Sequence, residues 1–287
     1  MHIVTDRAAD LSSEQTQGLN IHYATLTFTL DGKEYRSGID VQPDEFYQMI
    51  AATESFPSTS QPAPGEFAEL YRELAKSDPE ILSIHISSGL SGTLNSAIQG
   101  AALVPEAKVA FVDTKTLSGA EGWQVEAAAR AARAGWSKEK IVAMLARISA
   151  ATDTIYTLAT LKYLIHGGRI SHLKGLIGSV LNLKPLIGVE KEFGKYVNYS
   201  QARTLEKAIL KIADHVAAIY PPGTAMRFQV MDGHNASGAE LLRDRLAEMF
   251  KCTWLPTCSI APILGAHTGP GLVGLVYAPV SALPEMP

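Results

Sequence analysis

Apolar and polar positions along this 287-residue chain follow two periods. His2–Asp6, Ile81–Ile86 and Lys108–Thr114 are short apolar runs of the kind that form buried strands. Gly65–Lys76 instead repeats its apolar residues, Phe67, Leu70, Tyr71 and Leu74, every three or four positions, which predicts a helix. Thr93–Leu103, Gly122–Ala134 (stopping at Gly135) and Lys138–Ala150 are read as further helices, with a shorter one at Asp44–Ala52 behind Pro43. Ile21–Leu30 and Glu34–Ser37 flank Asp31-Gly32, a hairpin-turn dipeptide. A β-α-β-α order of this kind predicts a parallel sheet with helices packed on it.

The pattern changes near residue 150. Thr154–Thr160 is β-branched and strand-like, Leu161–Ile165 is a short helix before Gly167-Gly168, and Leu186–Glu190 pairs with Tyr196–Gln201 around Phe193-Gly194-Lys195. Leu205–Ile219 is the clearest amphipathic helix, with Leu205, Ile209, Ile212 and Val216 on one stripe before Pro221-Pro222. Met226–Met231, Trp254–Leu255 and Gly271–Tyr277 read as strands and Glu240–Phe250 as a helix. The expected fold class is α/β: an N-terminal α/β domain with a mainly parallel sheet over residues 1–152, and a C-terminal α+β domain over 153–287. No linker-like tract separates them, so a shared interface is expected.

Composition narrows the function. Apolar residues make up 46% of the chain and charged residues 19%, below the usual ~25%, which supplies a large core and excludes a disordered chain. The formal net charge of −4 argues against a nucleic-acid partner. No apolar run reaches the roughly 20 residues of a membrane span. Two cysteines and a first strand with no signal-like segment before it lead to the expectation of a cytoplasmic protein.

The chemistry concentrates in two hydroxyl-rich loops. Ser87-Ser88-Gly89-Leu90-Ser91-Gly92-Thr93 follows a strand and precedes a helix, where free N–H groups and the helix dipole favour an anion. Pro57-Ser58-Thr59-Ser60-Gln61-Pro62 precedes a proline-started helix in the same way. Each loop serves equally well as plain helix capping; two in one sheet-based domain suggest a convergent anion site. Ser91 in Gly89-Leu90-Ser91-Gly92-Thr93 resembles a hydrolase elbow, except that Thr93 replaces the last glycine, with His267 as a distant candidate base. Gly269-Pro270-Gly271-Leu272-Val273-Gly274 fits a dinucleotide fingerprint only in letters, because a strand follows it. Gly188 to Gly194-Lys195-Tyr196 fails as a P-loop on spacing and on Tyr196. His166 and His172 share no helical face, so no metal is expected. Asp6, Asp10 and Asp113, near strand ends, are read as structural acceptors, and His267-Thr268 as part of a glycine-rich turn.

Several of these segments in this order resemble the DegV family of bacterial fatty-acid-binding proteins, the lipid carriers of fatty acid kinase. The resemblance rests on Ile3-Val4-Thr5-Asp6 with Asp10-Leu11, Thr59-Ser60-Gln61-Pro62, Ser87 through Ala97, Val112-Asp113-Thr114, Leu161-Lys162-Tyr163-Leu164, Gly167-Gly168-Arg169-Ile170, Lys184-Pro185, Arg203-Thr204 and Gly265 through Gly271. It implies a long-chain fatty acid such as palmitate or oleate held between the two domains, with no other cofactor. Its carboxylate would be held by Thr59, by Ser91 with the Gly92 backbone, and by His267. Arg203 would face the head group or a separate ATP-binding kinase subunit. The alternatives are a serine acyl hydrolase using Ser91 and a regulatory module for another small acid. An acyl chain of about 15 methylenes gives roughly 12 kcal/mol gross on burial. Such a ligand needs an apolar slot and a clamp, and a clamp of uncharged donors is expected.

Overall fold

β1 (His2–Asp6) is buried from Ile3 onward, as a central strand with both faces covered must be. In the computed structural model, which describes residues 1–176 and 183–286, β1 lies between β2 (Ile21–Ala24) and β6 (Glu80–His85), with β7 (Lys108–Asp113) at the outer edge. All neighbours run parallel. Alternation along the strands sends Val4 and Ile81 to one face, against Phe67 and Tyr71 of α3 (Pro64–Ala75) and Ala97 of α4 (Thr93–Ala102). It sends Ile3, Leu82 and Ile84 to the other, against α5 (Ser118–Arg133) and α6 (Lys138–Ala151).

A three-stranded antiparallel sheet stands beside this one, ordered β4 (Lys33–Arg36), β3 (Thr27–Leu30), β5 (Ser58–Ser60). Asp31 and Gly32 both take positive φ, 51° and 77°, the backbone that a two-residue hairpin turn demands. α2 (Pro43–Ala51) seals the sheet by packing Phe46, Tyr47 and Ile50 on Phe28 and Leu30.

The second half is built on a seven-stranded mixed sheet. Its main path runs β10 (Tyr196–Ala202), β9 (Lys184–Val189), β8 (Asp153–Thr157), β14 (Leu272–Pro279), β11 (Ala225–Gly233), β12 (Lys251–Trp254), and β13 (Cys258–Ser259) also pairs with β11. Ile155, Leu186, Val230 and Leu275 point to α8 (Leu205–Ile219) and α9 (Ala236–Met249). Tyr156, Ile187, Met231 and Val276 point the other way, into a cluster shared with Ala8, Leu26, Ile86, Leu90 and Leu117 of the first half. The short helices α1 (Ser13–Thr16), α7 (Lys162–His166) and α10 (Pro262–Thr268) complete the chain. The α/β class and the parallel first sheet agree with the sequence pattern.

Four expectations are corrected. Ile21–Leu30 is two strands in different sheets, because β2 pairs with β1 and β3 pairs with β4 and β5. The strand expected at Thr154–Thr160 ends at Thr157. The helix expected from Gly122 starts at Ser118, and almost all of it is buried, so it shows little amphipathic contrast at its start. The segment around His267-Thr268 is the end of helix α10, bounded by Pro262 and by Gly269 at φ 67°, rather than a turn.

Buried polar groups fasten these pieces. Asp6 and His85, both wholly buried, meet at 2.9 Å, and Asp6 also accepts the Ala8 and Ile86 N–H groups. His85 Nε2 continues to Ser83 Oγ at 2.7 Å, which meets Tyr71 OH at 2.8 Å. Across the seam, Trp123 donates to Gln229, Gln229 to Gln15, and Gln15 to Glu126. Asp10 accepts from Ser118 Oγ and from the Ala261 N–H. Burial pushes the Asp10 carboxyl up to about 7, against those two hydrogen bonds, with the Asp6 charge adding to the rise. Asp6→Ala strands three buried donors or acceptors at once. It is expected to cost about 3–5 kcal/mol in urea denaturation, and a loss below ~1 kcal/mol would contradict the fastening role.

Candidate functional site

Three elements from distant parts of the chain meet at the front of the seam. β5 is held antiparallel to β3 with Thr59 opposite Phe28, which fixes where the Thr59 side chain points. The β6–α4 loop is drawn tight by Leu90 and Ser91 N–H groups on the Ser87 carbonyl, and it presents Ser91. α10 presents His267 in its last turn.

Thr59 Oγ1 and His267 Nε2 lie 2.9 Å apart. Ser91 Oγ meets Thr93 Oγ1 at 2.8 Å and accepts the Thr93 N–H, so it caps the start of α4 while lining the cavity. Gly92 works by close approach: a Cβ there would lie 2.1 Å from Gln61 Oε1. The bare backbone lets Gln61 cross the helix start and donate to Ser96 Oγ, which ties the two hydroxyl loops together.

Thr59, Ser91 and His267 line one cavity of about 310 Å³, at the small end of the ~300–1,000 Å³ typical of ligand pockets. Its apolar wall is Ala8, Leu26, Ile86, Leu90, Ile263 and Leu264, all members of the seam cluster. The cavity adjoins an open cleft of about 340 Å³ that shares Leu90, Ser91 and Arg169 and also includes Gly92.

Sequence reasoning missed Arg169. It lines both the cavity and the cleft, half-buried, with Nη1 donating to the Gly167 carbonyl at 2.7 Å. Beside the uncharged groups expected from the sequence, a guanidinium therefore lines the cavity. Gly167-Gly168 ahead of it was the available signal, since Gly167 brings the backbone against the His267 ring and Gly168 takes left-handed backbone at φ 75°. Arg203 is exposed between β10 and α8 and is not among the lining residues.

Burial holds His267 well below its ordinary value, at about 4, and the Arg169 charge pushes the same way. The imidazole is therefore neutral near pH 7 and acts as a hydrogen-bonding group. Its Nδ1 is buried without a partner. Ser91 and His267 are each bonded elsewhere and form no nucleophile–base pair. The Ser83–His85–Asp6 chain has triad-like order but lies wholly buried. Gly188 to Tyr196 spans the β9–β10 hairpin, and Gly269–Gly274 leads into β14, neither being a strand-to-helix turn. Among the described residues no group of three His, Cys, Asp or Glu side chains could hold a metal ion, and no helix is long and apolar enough to cross a membrane. The side chain of His172 lies outside the described residues.

Residues 1–280 match the model of the DegV family, whose description is that of an uncharacterised protein family. A DegV domain-containing protein of Staphylococcus aureus is 34% identical over 274 residues, 96% of this chain and 97% of that protein. Among solved structures the chain is similar to a fatty-acid-binding DegV family protein from Thermus thermophilus, with TM-score 0.86, 30% identity and coverage of 97% and 99%. It is also similar to DegV, a fatty acid binding protein from Bacillus subtilis, with TM-score 0.86, 28% identity and coverage of 97% and 98%.

The depressed His267 value has a definite sign. The unfolded chain takes up a proton near 6.5 and the folded chain only near 4, so this group lowers stability as pH falls through that window. The full effect is on the order of 3 kcal/mol. His267→Gln removes it, so the variant's stability relative to the parent is expected to rise by that amount between about pH 7 and pH 4. Parallel urea-denaturation profiles for the two proteins would contradict the burial.

Proposed function

Because the chain belongs to the DegV family, we propose that it binds a long-chain fatty acid such as palmitate or oleate. The acid lies between two domains, residues 1–152 and 153–287. It is presented to a separate ATP-dependent kinase subunit, and this chain carries away the acyl phosphate. One observation supports the reading above the others: Thr59, Ser91, His267 and Arg169 converge at the mouth of a cavity whose wall is the seam's apolar cluster. The fold is shared over nearly the whole chain with relatives described as fatty acid binding.

The physical division of labour is simple. The tail supplies affinity at about 0.8 kcal/mol per buried methylene, and the head clamp supplies orientation. With His267 Nε2–H donating to Thr59, the threonine hydroxyl is free to donate to a carboxylate oxygen, beside the Ser91 hydroxyl and the backbone at the start of α4. A short acid would fill the clamp and leave Ala8, Leu26 and Ile86 against water, which disfavours the reading as a sensor of a small acid.

In the kinase step a carboxylate oxygen attacks the terminal phosphorus of ATP held by the partner. The bond to the bridging oxygen breaks, ADP leaves with the partner, and the acyl phosphate stays in the seam. Arg169 is the only charged side chain among the described lining residues, and it faces the charge that grows at the head. Arg203, outside the cavity, is assigned to the kinase-facing surface.

One paired experiment tests the reading. Thr59→Ala removes a donor to a charged group, worth about 1.5–3 kcal/mol, and is expected to weaken palmitate binding about 10- to 100-fold by calorimetry. Arg203→Ala is expected to leave that affinity within about twofold while lowering kinase-dependent acyl phosphate formation. Undiminished binding by Thr59→Ala overturns the clamp. Equal losses of binding and turnover in Arg203→Ala overturn its placement.

A further inference from the structure

A second, smaller space of about 20 Å³ adjoins the cavity described above, lined by Leu117, Tyr156, Met231, Ile260 and Leu272 together with Ser118, Thr154, Thr268 and Gly274. The first five belong to the same cluster as the apolar wall of the front cavity. The two spaces share one lining residue, Leu264. The front cavity shares Leu90, Ser91 and Arg169 with the open cleft, and Leu264 alone with this second space.

The backbone that carries Leu264 is pinned. α10 starts on Pro262, with the Ala261 N–H held by Asp10 and the Ile263 N–H held by Ser37 Oγ, and it ends on Gly269 in left-handed backbone. His267, one turn further along the same helix, is tied to Thr59. The helix therefore cannot slide without breaking the head clamp, and the side chain of Leu264 is the adjustable part of the partition. We infer that Leu264 sets the length of acyl chain the protein accepts, by closing the front cavity off from the second space. This rests on the fatty-acid reading and adds to it the residue that selects among fatty acids.

Removing the isobutyl group joins the two spaces, whose apolar lining residues belong to one cluster. Each further methylene that finds apolar cover gains about fourfold in affinity, and each that meets a wall gains nothing. The test is a binding series of saturated acids, laurate, myristate, palmitate, stearate and arachidate, measured by calorimetry on the full-length parent and three variants. Leu264→Ala is expected to move the affinity maximum at least one member of the series toward longer chains. Leu264→Phe carries the same test in the opposite direction, moving the maximum toward shorter chains. Leu264→Met, which keeps the volume, is expected to keep the parent profile. Parent-like profiles in both the alanine and phenylalanine variants overturn the role of Leu264 while leaving fatty-acid binding intact. A parent protein that binds no member of the series overturns the fatty-acid reading itself, and this inference with it.

Discussion

A carboxylate enters an apolar seam only where donors wait for its oxygens, because an unpaired buried charge costs several kcal/mol. On the proposed reading that condition falls to the contact between Thr59 and His267, residues 208 positions apart in sequence. The surrounding architecture serves to make the contact. The β3–β5 pairing aims Thr59, α10 delivers His267, and Gln61 lashes the first hydroxyl loop to the second across Gly92. Asp10 and Ser37 hold the start of α10, and Asp6 holds the ends of β1 and β6 beneath the cavity floor.

Polar and apolar fastening are divided along the seam. The chain of Trp123, Gln229, Gln15 and Glu126 joins the halves through directional hydrogen bonds, which tolerate little displacement. The cavity and its apolar wall are held instead by non-directional packing, which can re-form around an aliphatic guest. The fatty-acid binding proposed above needs both: a fixed frame and a surface indifferent to the exact position of a methylene. In the proposed function the neutral imidazole would hold the head, and the guanidinium among the described lining residues would stabilise charge on it.

Much of this was legible in the chain. The strand His2–Asp6 announces itself as a short apolar run buried on both faces, the helix Leu205–Ile219 by its one buried stripe, and the two hydroxyl loops by the helix that begins directly after each. α10 did not, because Pro262 through Ala266 are all buried and a helix apolar on every side has no period to read. The break between β2 and β3 was hidden because both flanks are strand-like, and only pairing partners distant in sequence separate them. Arg169 escaped notice because Gly167-Gly168, the local signal, marks a tight backbone approach without saying which side chain faces a cavity. Its place follows from α7 and from Gly167, which sets the backbone against His267.

The most direct measurement is solvent extraction of the purified full-length protein followed by mass spectrometry. A long-chain fatty acid at close to one molecule per chain is the predicted result. Material that yields no fatty acid after purification, and none after incubation with palmitate or oleate and removal of excess lipid, would contradict a seam built to bury an acyl chain by its carboxylate.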